Sequence, residues 1–305
     1  MTPAQRTVER QVEEHPIDTV LRAERLPHIL CPGCGIGTVV HCYAAAMLES
    51  GVPMAQHVCV SGIGCSGRAA GYVNVDSYHT THGRAIPFAL GIAVQRPELR
   101  VTVISGDGDL TAIGGNHFIH AARRNVDLTV ICINNFNYGM TGGQAGPTTP
   151  YHACSSTTPY GCWDQPFNLP HLAHAVGASY VARWSVLHVR QLKEAVLRAM
   201  QVKGFAFIEV VSPCPTGFGR PNNIPDGLTE MQKYQRRCRV NPDADLADIG
   251  IDLTRDDTPI IVGEFVDRQR QMFQPILAQP APPPMGPDEW AGVRKTKYRE
   301  DQNGS

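Results

Sequence analysis

Arg100-Val-Thr-Val-Ile-Ser-Gly-Asp-Gly-Asp109 and Leu128-Thr-Val-Ile-Cys-Ile-Asn-Asn135 are the two stretches from which the rest of the chain is read. Each opens as a short, β-branched apolar run without alternation, the pattern of a strand buried on both faces. Between them, Gly114 to Arg124 carries Phe118, Ile119, Ala121 and Ala122 and reads as a helix. Strand, helix and strand make a βαβ unit. Its polar residues, Asp107 and Asn134-Asn135, then fall at the carboxyl ends of two parallel strands, where open α/β sheets bind ligands.

A carboxylate and an amide oxygen from neighbouring strand ends form a hard-oxygen site suited to Mg²⁺. The glycine turn Gly106–Gly108 offers backbone N–H groups to a diphosphate, whose oxygens would complete an octahedron. Thiamine diphosphate is the cofactor this combination suggests. A dinucleotide fingerprint requires G-x-G-x-x-G, but Thr111 stands at the third glycine, and Asn134-Asn135 replaces the acidic ribose ligand. A hydrolase nucleophile elbow requires G-x-S-x-G, but Arg68 stands two residues after Ser66.

Ten cysteines give the second signal. The first fourteen residues are polar and charged, without an apolar leader, so an intracellular chain with reduced thiols is expected. Four cysteines stand in glycine- or proline-rich loops: Cys31 and Cys34 in Cys-Pro-Gly-Cys-Gly, Cys65 in Gly-Ile-Gly-Cys-Ser-Gly, and Cys214 in Ser-Pro-Cys-Pro. Such loops leave room around a metal, and their N–H groups can bond to sulfur. Four thiolates suit zinc or an iron–sulfur cluster. Cys42, Cys59 and Cys132 read as packed small hydrophobes. Cys154, Cys162 and Cys238 have no partner spacing.

Cys31-Pro-Gly-Cys34-Gly, Gly62-Ile-Gly-Cys65-Ser-Gly-Arg68, His79-Thr-Thr-His82-Gly-Arg84, Gly106-Asp-Gly-Asp109, Asn134-Asn135 and Tyr138-Gly-Met-Thr-Gly-Gly-Gln144 follow one another in this order. In that order and spacing, residues 26–215 resemble the β subunit of the 2-oxoacid:ferredoxin oxidoreductases. The resemblance implies a thiamine diphosphate-binding α/β fold with a mostly parallel sheet and helices on both faces. It implies that Cys31, Cys34, Cys65 and Cys214 ligate one [4Fe-4S] cluster. Asp107, the Asn135 side chain and the Asn137 carbonyl would bind Mg²⁺. Gly108 and Asp109 would present N–H groups to the diphosphate. Ile63, Gly64, Cys65 and Ser66 would pass beside the cofactor, His82 near its diphosphate, and Gly139 and Met140 beside its thiazolium ring.

The implied reaction is reversible, coenzyme A-dependent oxidative decarboxylation of a 2-oxoacid to an acyl-CoA and CO2, with single electrons passing to ferredoxin. Glu98, Glu194 and Glu209 carry no motif. The resemblance implies that the glutamate activating the thiamine ring belongs to an α subunit, in an α2β2 assembly, and no catalytic side chain is assigned to this chain. Tyr138–Gln144 and Tyr180-Val-Ala-Arg183 look most like 2-oxoglutarate members. Pyruvate and branched-chain 2-oxoacids stay open as substrates, as do a thiamine decarboxylase or ligase without ferredoxin and a zinc-bearing scaffold.

Composition restricts the alternatives. A 305-residue chain with 42% hydrophobic residues can bury a large core. A net charge of −1, without a basic stripe, argues against nucleic acid. No apolar run is long enough to span a membrane, and a cytoplasmic location is expected. The reading divides the chain into an arm (1–25), the cofactor- and cluster-binding domain (26–215), a C-terminal extension (216–278) and a proline-rich, then charged tail (279–305). Residues 141–168, rich in Thr, Pro, Gly and Tyr, are too long for an ordinary connection and read as a functional loop.

Overall fold

Strands Arg100–Gly106 and Leu128–Asn134 form where the two quoted stretches require them, side by side and parallel, in the computed structural model, which describes residues 15–253 and 257–273. In chain order the helices are α1 (Ile36–Glu49), α2 (Ala85–Gln95), α3 (Gly115–Arg124), α4 (Leu169–Ala175), α5 (Val189–Gln201) and α6 (Gly227–Arg237). The strands are β1 (His57–Ser61), β2 (Asp76–His79), β3 (Arg100–Gly106), β4 (Leu128–Asn134), β5 (Asn137–Tyr138), β6 (Gln144–Ala145), β7 (Tyr180–Ser185), β8 (Phe205–Val211), β9 (Cys238–Val240) and β10 (Ile260–Asp267). Eight strands form one sheet in the order β2-β1-β3-β4-β8-β7-β10-β9, and β5 and β6 form a separate hairpin. Only β10 against β7 is antiparallel in the large sheet.

The sheet has a core on each face, which is why its central strands are apolar without interruption. Val101 and Val103 of β3, Val130 of β4 and Phe205 and Phe207 of β8 pack with Ala89, Phe118 and Leu169 from α2, α3 and α4. The intervening residues Ile104, Ile131 and Ile208 pack with Val39, Tyr43, Leu192 and Val196 from α1 and α5. The segment after Pro215 contributes α6 and adds β9 and β10 to the same sheet. The extended tail expected over 279–305 and the first fourteen residues of the arm lie outside the described residues. Among the described residues no helix is long and apolar enough to cross a membrane.

One local expectation needs correction, and one strand was not anticipated. The expected glycine turn at Gly106–Gly108 is instead the end of β3, which runs through Gly106, and the start of helical backbone at Gly108 (φ −65°, ψ −38°). Glycine is needed at 108 for space, because a β-carbon there would collide with the Tyr138 ring. The polar segment Asp76–His79 pairs with β1 as an edge strand, although nothing in its composition signals a strand.

Candidate functional site

Adjacent strands β1, β3, β4 and β8 all point their carboxyl ends the same way. The segments leaving them are Gly62–Ser66, Asp107–Asp109, Asn135–Asn137 and Ser212–Cys214. The first three segments converge on a cavity of about 230 Å³ lined by Ile63, Gly64, Cys65, Ser66, His82, Gly106, Asp107, Gly108, Asp109, Asn135, Asn137, Tyr138, Gly139, Met140 and Thr141. All twelve residues read from the sequence as cofactor-binding are among them. A neighbouring cavity of about 280 Å³ is lined by Cys31, Cys34, Cys65 and Cys214 together with Ile29, Leu30, Arg68 and Pro215. Cys65, Asn135, Gly139 and Met140 border both. A larger cavity of about 370 Å³, between the long loop and α6, holds none of these residues.

The two carboxylates of the Gly-Asp-Gly-Asp stretch are both buried but differently bound. Asp109 is held by four donors: the Ser105 hydroxyl (2.8 Å), the N–H groups of Ile63 (3.1 Å) and Gly83 (2.9 Å), and Nδ1 of His82 (2.5 Å). A β-carbon at Gly62 would strike this carboxylate. Asp109 therefore clamps the loop carrying Cys65 and fixes the His82 ring, which leaves Nε2 as the nitrogen for a ligand. The sequence reading credited Asp109 with its N–H alone and missed this clamp.

Asp107, 1% exposed, accepts a short bond from the Thr148 hydroxyl and, among the described residues, none from a cationic side chain. Burial pushes its carboxyl up to about 7, against the opposing pull of Thr148 and the N–H groups of Gly108 and Asn135. A buried acid in this state is suited to a cation. Asn135 and Asn137 line the same cavity, with the Asn137 amide donating to the Asn135 carbonyl (2.6 Å). These donors are hard oxygens and fit Mg²⁺ with a diphosphate. Thr148 was not found from the sequence. Thr148 and Thr149 are both buried in the long loop, and Thr149 donates to the Phe136 carbonyl (2.6 Å). The loop over 141–168 thus folds back to brace both sides of the cavity, and its unusual length was the available signal.

Bare backbone brings the cysteines together. Gly33 (φ +81°) packs on Gly227 at the start of α6, so closely that a β-carbon would lie 2.9 Å from the Gly227 Cα. Gly35 lies on Ser212, where a β-carbon would stand 2.5 Å from the hydroxyl. The Cys31–Cys34 loop is thereby pressed against the strand end carrying Cys214. Burial pushes the Cys34 thiol up to about 12, and burial also raises Cys65 and Cys214. The N–H groups of Gly217 and Phe218 approach Cys214, and that of Ile36 approaches Cys34. Such donors stabilise thiolates. Among the described residues no three His, Cys, Asp or Glu side chains close on a single metal ion. The four thiols line one cavity, and four thiolates fit either zinc or an iron–sulfur cluster.

Among the described residues, the acids lining the cofactor cavity are Asp107 and Asp109, and no glutamate does so. Glu98 is paired with Arg96 on the surface, Glu194 is exposed on α5, and Glu209 is buried against Arg183.

Strand-end loops, a buried acid and paired asparagines define the class: a thiamine pyrophosphate-binding α/β domain. Residues 62–210 match the C-terminal TPP-binding domain of thiamine pyrophosphate enzymes. The chain is 49% identical over 293 residues to 2-oxoglutarate synthase subunit KorB of Methanothermobacter thermautotrophicus, covering 94% of this chain and 99% of that one. It is 49% identical over 261 residues to the same subunit of Methanocaldococcus jannaschii, covering 85% and 94%. Among solved structures it resembles the 2-oxoglutarate:ferredoxin oxidoreductase from Magnetococcus marinus with 2-oxoglutarate, coenzyme A and succinyl-CoA bound, with a TM-score of 0.76 and 28% identity over 93% of this chain and 97% of that one. The chain belongs to the 2-oxoacid:ferredoxin oxidoreductase β subunits, and is thus an oxidoreductase subunit.

Proposed function

We propose that the chain is the β subunit of a cytoplasmic 2-oxoglutarate:ferredoxin oxidoreductase, working with an α subunit in an α2β2 assembly. The assembly would convert 2-oxoglutarate and coenzyme A to succinyl-CoA and CO2, reversibly, while reducing ferredoxin. Thiamine diphosphate supplies the electron sink for decarboxylation, and a [4Fe-4S] cluster accepts electrons singly.

This chain's residues bind and orient. Asp107, Asn135 and the Asn137 carbonyl hold Mg²⁺; Gly108 and Asp109 N–H groups meet the diphosphate. His82, oriented by Asp109, adds a ring nitrogen there. Ile63–Ser66, Gly139 and Met140 wall the reacting end. Cys31, Cys34, Cys65 and Cys214 hold the cluster. The glutamate activating the thiamine ring comes from the α subunit.

The observation that carries the reading is the wall shared by the two cavities. Cys65 belongs to both, so one loop would touch the cofactor and the cluster, and the electron path would be short. The test is anaerobic purification of the α–β complex, metal and sulfide analysis, and a 2-oxoacid panel with coenzyme A and ferredoxin. About four irons with matching sulfide per β chain are expected, with fastest ferredoxin reduction on 2-oxoglutarate. One zinc without sulfide would overturn the redox reading. Preference for pyruvate or 2-oxoisovalerate would overturn the substrate.

A further inference from the structure

Arg183, Glu209 and Asn134 lie on the strands behind the cofactor cavity, without lining it. They stand on β7, β8 and β4, and the alternation of each strand puts all three on the face covered by α2, α3 and α4. Arg183 and Glu209 are register partners, each side chain 1% exposed, with Arg183 Nε 2.6 Å from Glu209 Oε2. The second carboxylate oxygen accepts from Asn134 Nδ2 at 2.7 Å. Arg183 Nη1 donates onward to the Ile249 carbonyl (2.6 Å). An ion pair this deep is a weak stabiliser, because desolvating two charges offsets their attraction.

Its effect on Asn134 is specific. A carboxylate can only accept, so the Asn134 amide must turn its NH2 toward Glu209 and its oxygen the other way. There the oxygen accepts from the N–H of Phe136 (3.2 Å). Phe136 has φ +64°, a left-handed conformation that a bulky side chain rarely adopts. It is held by that bond, by Thr149 on its carbonyl, and by its ring against Phe218 (5.4 Å). This residue turns the chain between Asn135 and Asn137, both of which line the cofactor cavity.

We infer that Glu209 is a positioning residue: paired with Arg183, it fixes the Asn134 amide and thereby the Phe136 turn that presents Asn135 and Asn137 to Mg²⁺ and the diphosphate. The inference rests on the metal-site reading above. Glu209→Gln has a single acceptor oxygen for two donors, so it leaves Arg183 or Asn134 unmatched. The exchanged pair Asn134→Asp with Glu209→Gln restores every donor and acceptor. In it the introduced amide donates its NH2 to the introduced carboxylate and accepts from Arg183 through its oxygen, while the carboxylate also accepts from Phe136 N–H. Asn134→Ala keeps the Arg183–Glu209 ion pair and removes both bonds of the Asn134 amide, the one to Glu209 and the one from Phe136.

The test uses the cluster-loaded α–β complex stripped of thiamine diphosphate and magnesium. Mg²⁺ and thiamine diphosphate are titrated by calorimetry, with thermal melts alongside. Glu209→Gln and Asn134→Ala should each weaken binding by about 10- to 100-fold, as loss of an outer-shell partner does; the exchanged pair should recover most of the loss. A purely structural pair would lower the melting temperature and leave the folded complex's affinity unchanged. Wild-type affinity in Asn134→Ala, or an exchanged pair no better than Glu209→Gln, overturns the inference. Failure of the wild type to bind, or unchanged affinity in Asp107→Asn, overturns the metal-site reading and this inference with it. Should Glu209→Gln not fold, Asn134→Ala decides.

Discussion

The two cavities border one another and are built by opposite means. The cofactor cavity is made of side-chain oxygens in fixed hydrogen bonds: four donors on Asp109, Thr148 on Asp107, Thr149 on Phe136. The cysteine cavity is made by glycines that let backbone lie on backbone, Gly33 on Gly227 and Gly35 on Ser212. The first should therefore be sensitive to a lost oxygen, the second to an added methyl group. Because they share Cys65 and Gly139, loading one could depend on the other; the predictions test whether it does.

The largest effect should follow Cys34→Ser in the α–β complex. Iron and sulfide should fall from about four per chain to near none, since every cubane ligand is needed. Magnesium-dependent binding of thiamine diphosphate should persist, and Cys132→Ala should keep its iron. Loss of both functions in Cys34→Ser would show that the cavities load as one unit.

Asp107→Asn is the converse. It replaces the one anionic oxygen offered to Mg²⁺ and should weaken thiamine diphosphate binding by more than about 100-fold, beyond the usual cost of an outer-shell partner. Iron content should stay at the wild-type value. Unchanged affinity, measured by titration, would remove Asp107 from the metal site.

Gly33→Ala tests the other kind of construction. It forces a side chain into positive φ and against the Gly227 backbone, at a cost of about 1–3 kcal/mol. Iron occupancy and melting temperature should both drop while cofactor affinity holds. A variant with full iron content would show that the glycine contact does not assemble the cysteines.

The smallest effect concerns pH. Folding lifts the Asp107 carboxyl from its ordinary 3.8 to about 7 by burial. Between those values the empty folded chain keeps a proton that the unfolded chain releases, so stability falls as pH rises through this window. Glu230, lifted to about 7 by burial, adds a fall of the same sign. Asp107→Asn should make the pH dependence of melting shallower without abolishing it, and should raise the melting temperature of the empty protein at pH 8. A slope equal to that of the wild type would contradict the burial argument.

Much of the site was legible because its ligands are contiguous with strong backbone signals. A buried strand followed by Gly-Asp-Gly fixes where Asp107 must stand, and Cys-Pro-Gly-Cys announces thiols in a loop without needing a fold. The strands Arg100–Gly106 and Phe205–Val211 and the helix Ala85–Gln95 follow from apolar runs and their flanks. The Asp76–His79 strand was not legible, because a polar edge strand owes its existence to the neighbour it pairs with. Nor was α6 read, although Asp226 caps its start by accepting from the Thr229 N–H (2.7 Å).

Local chemistry and strand and helix periods suffice to place Asp107, Asn135 and the loop cysteines at the ends of their segments. Only the tertiary structure decided which oxygen serves the cavity and which braces it. Asp107 and Asp109 are alike in sequence and differ because Ile63, His82 and Gly83 arrive beside one and Thr148 beside the other. Likewise, Glu209 meets Arg183 and Asn134 only through strand register. Hydrogen-bond partners separated by tens of residues are chosen by packing, and no local pattern contains that choice.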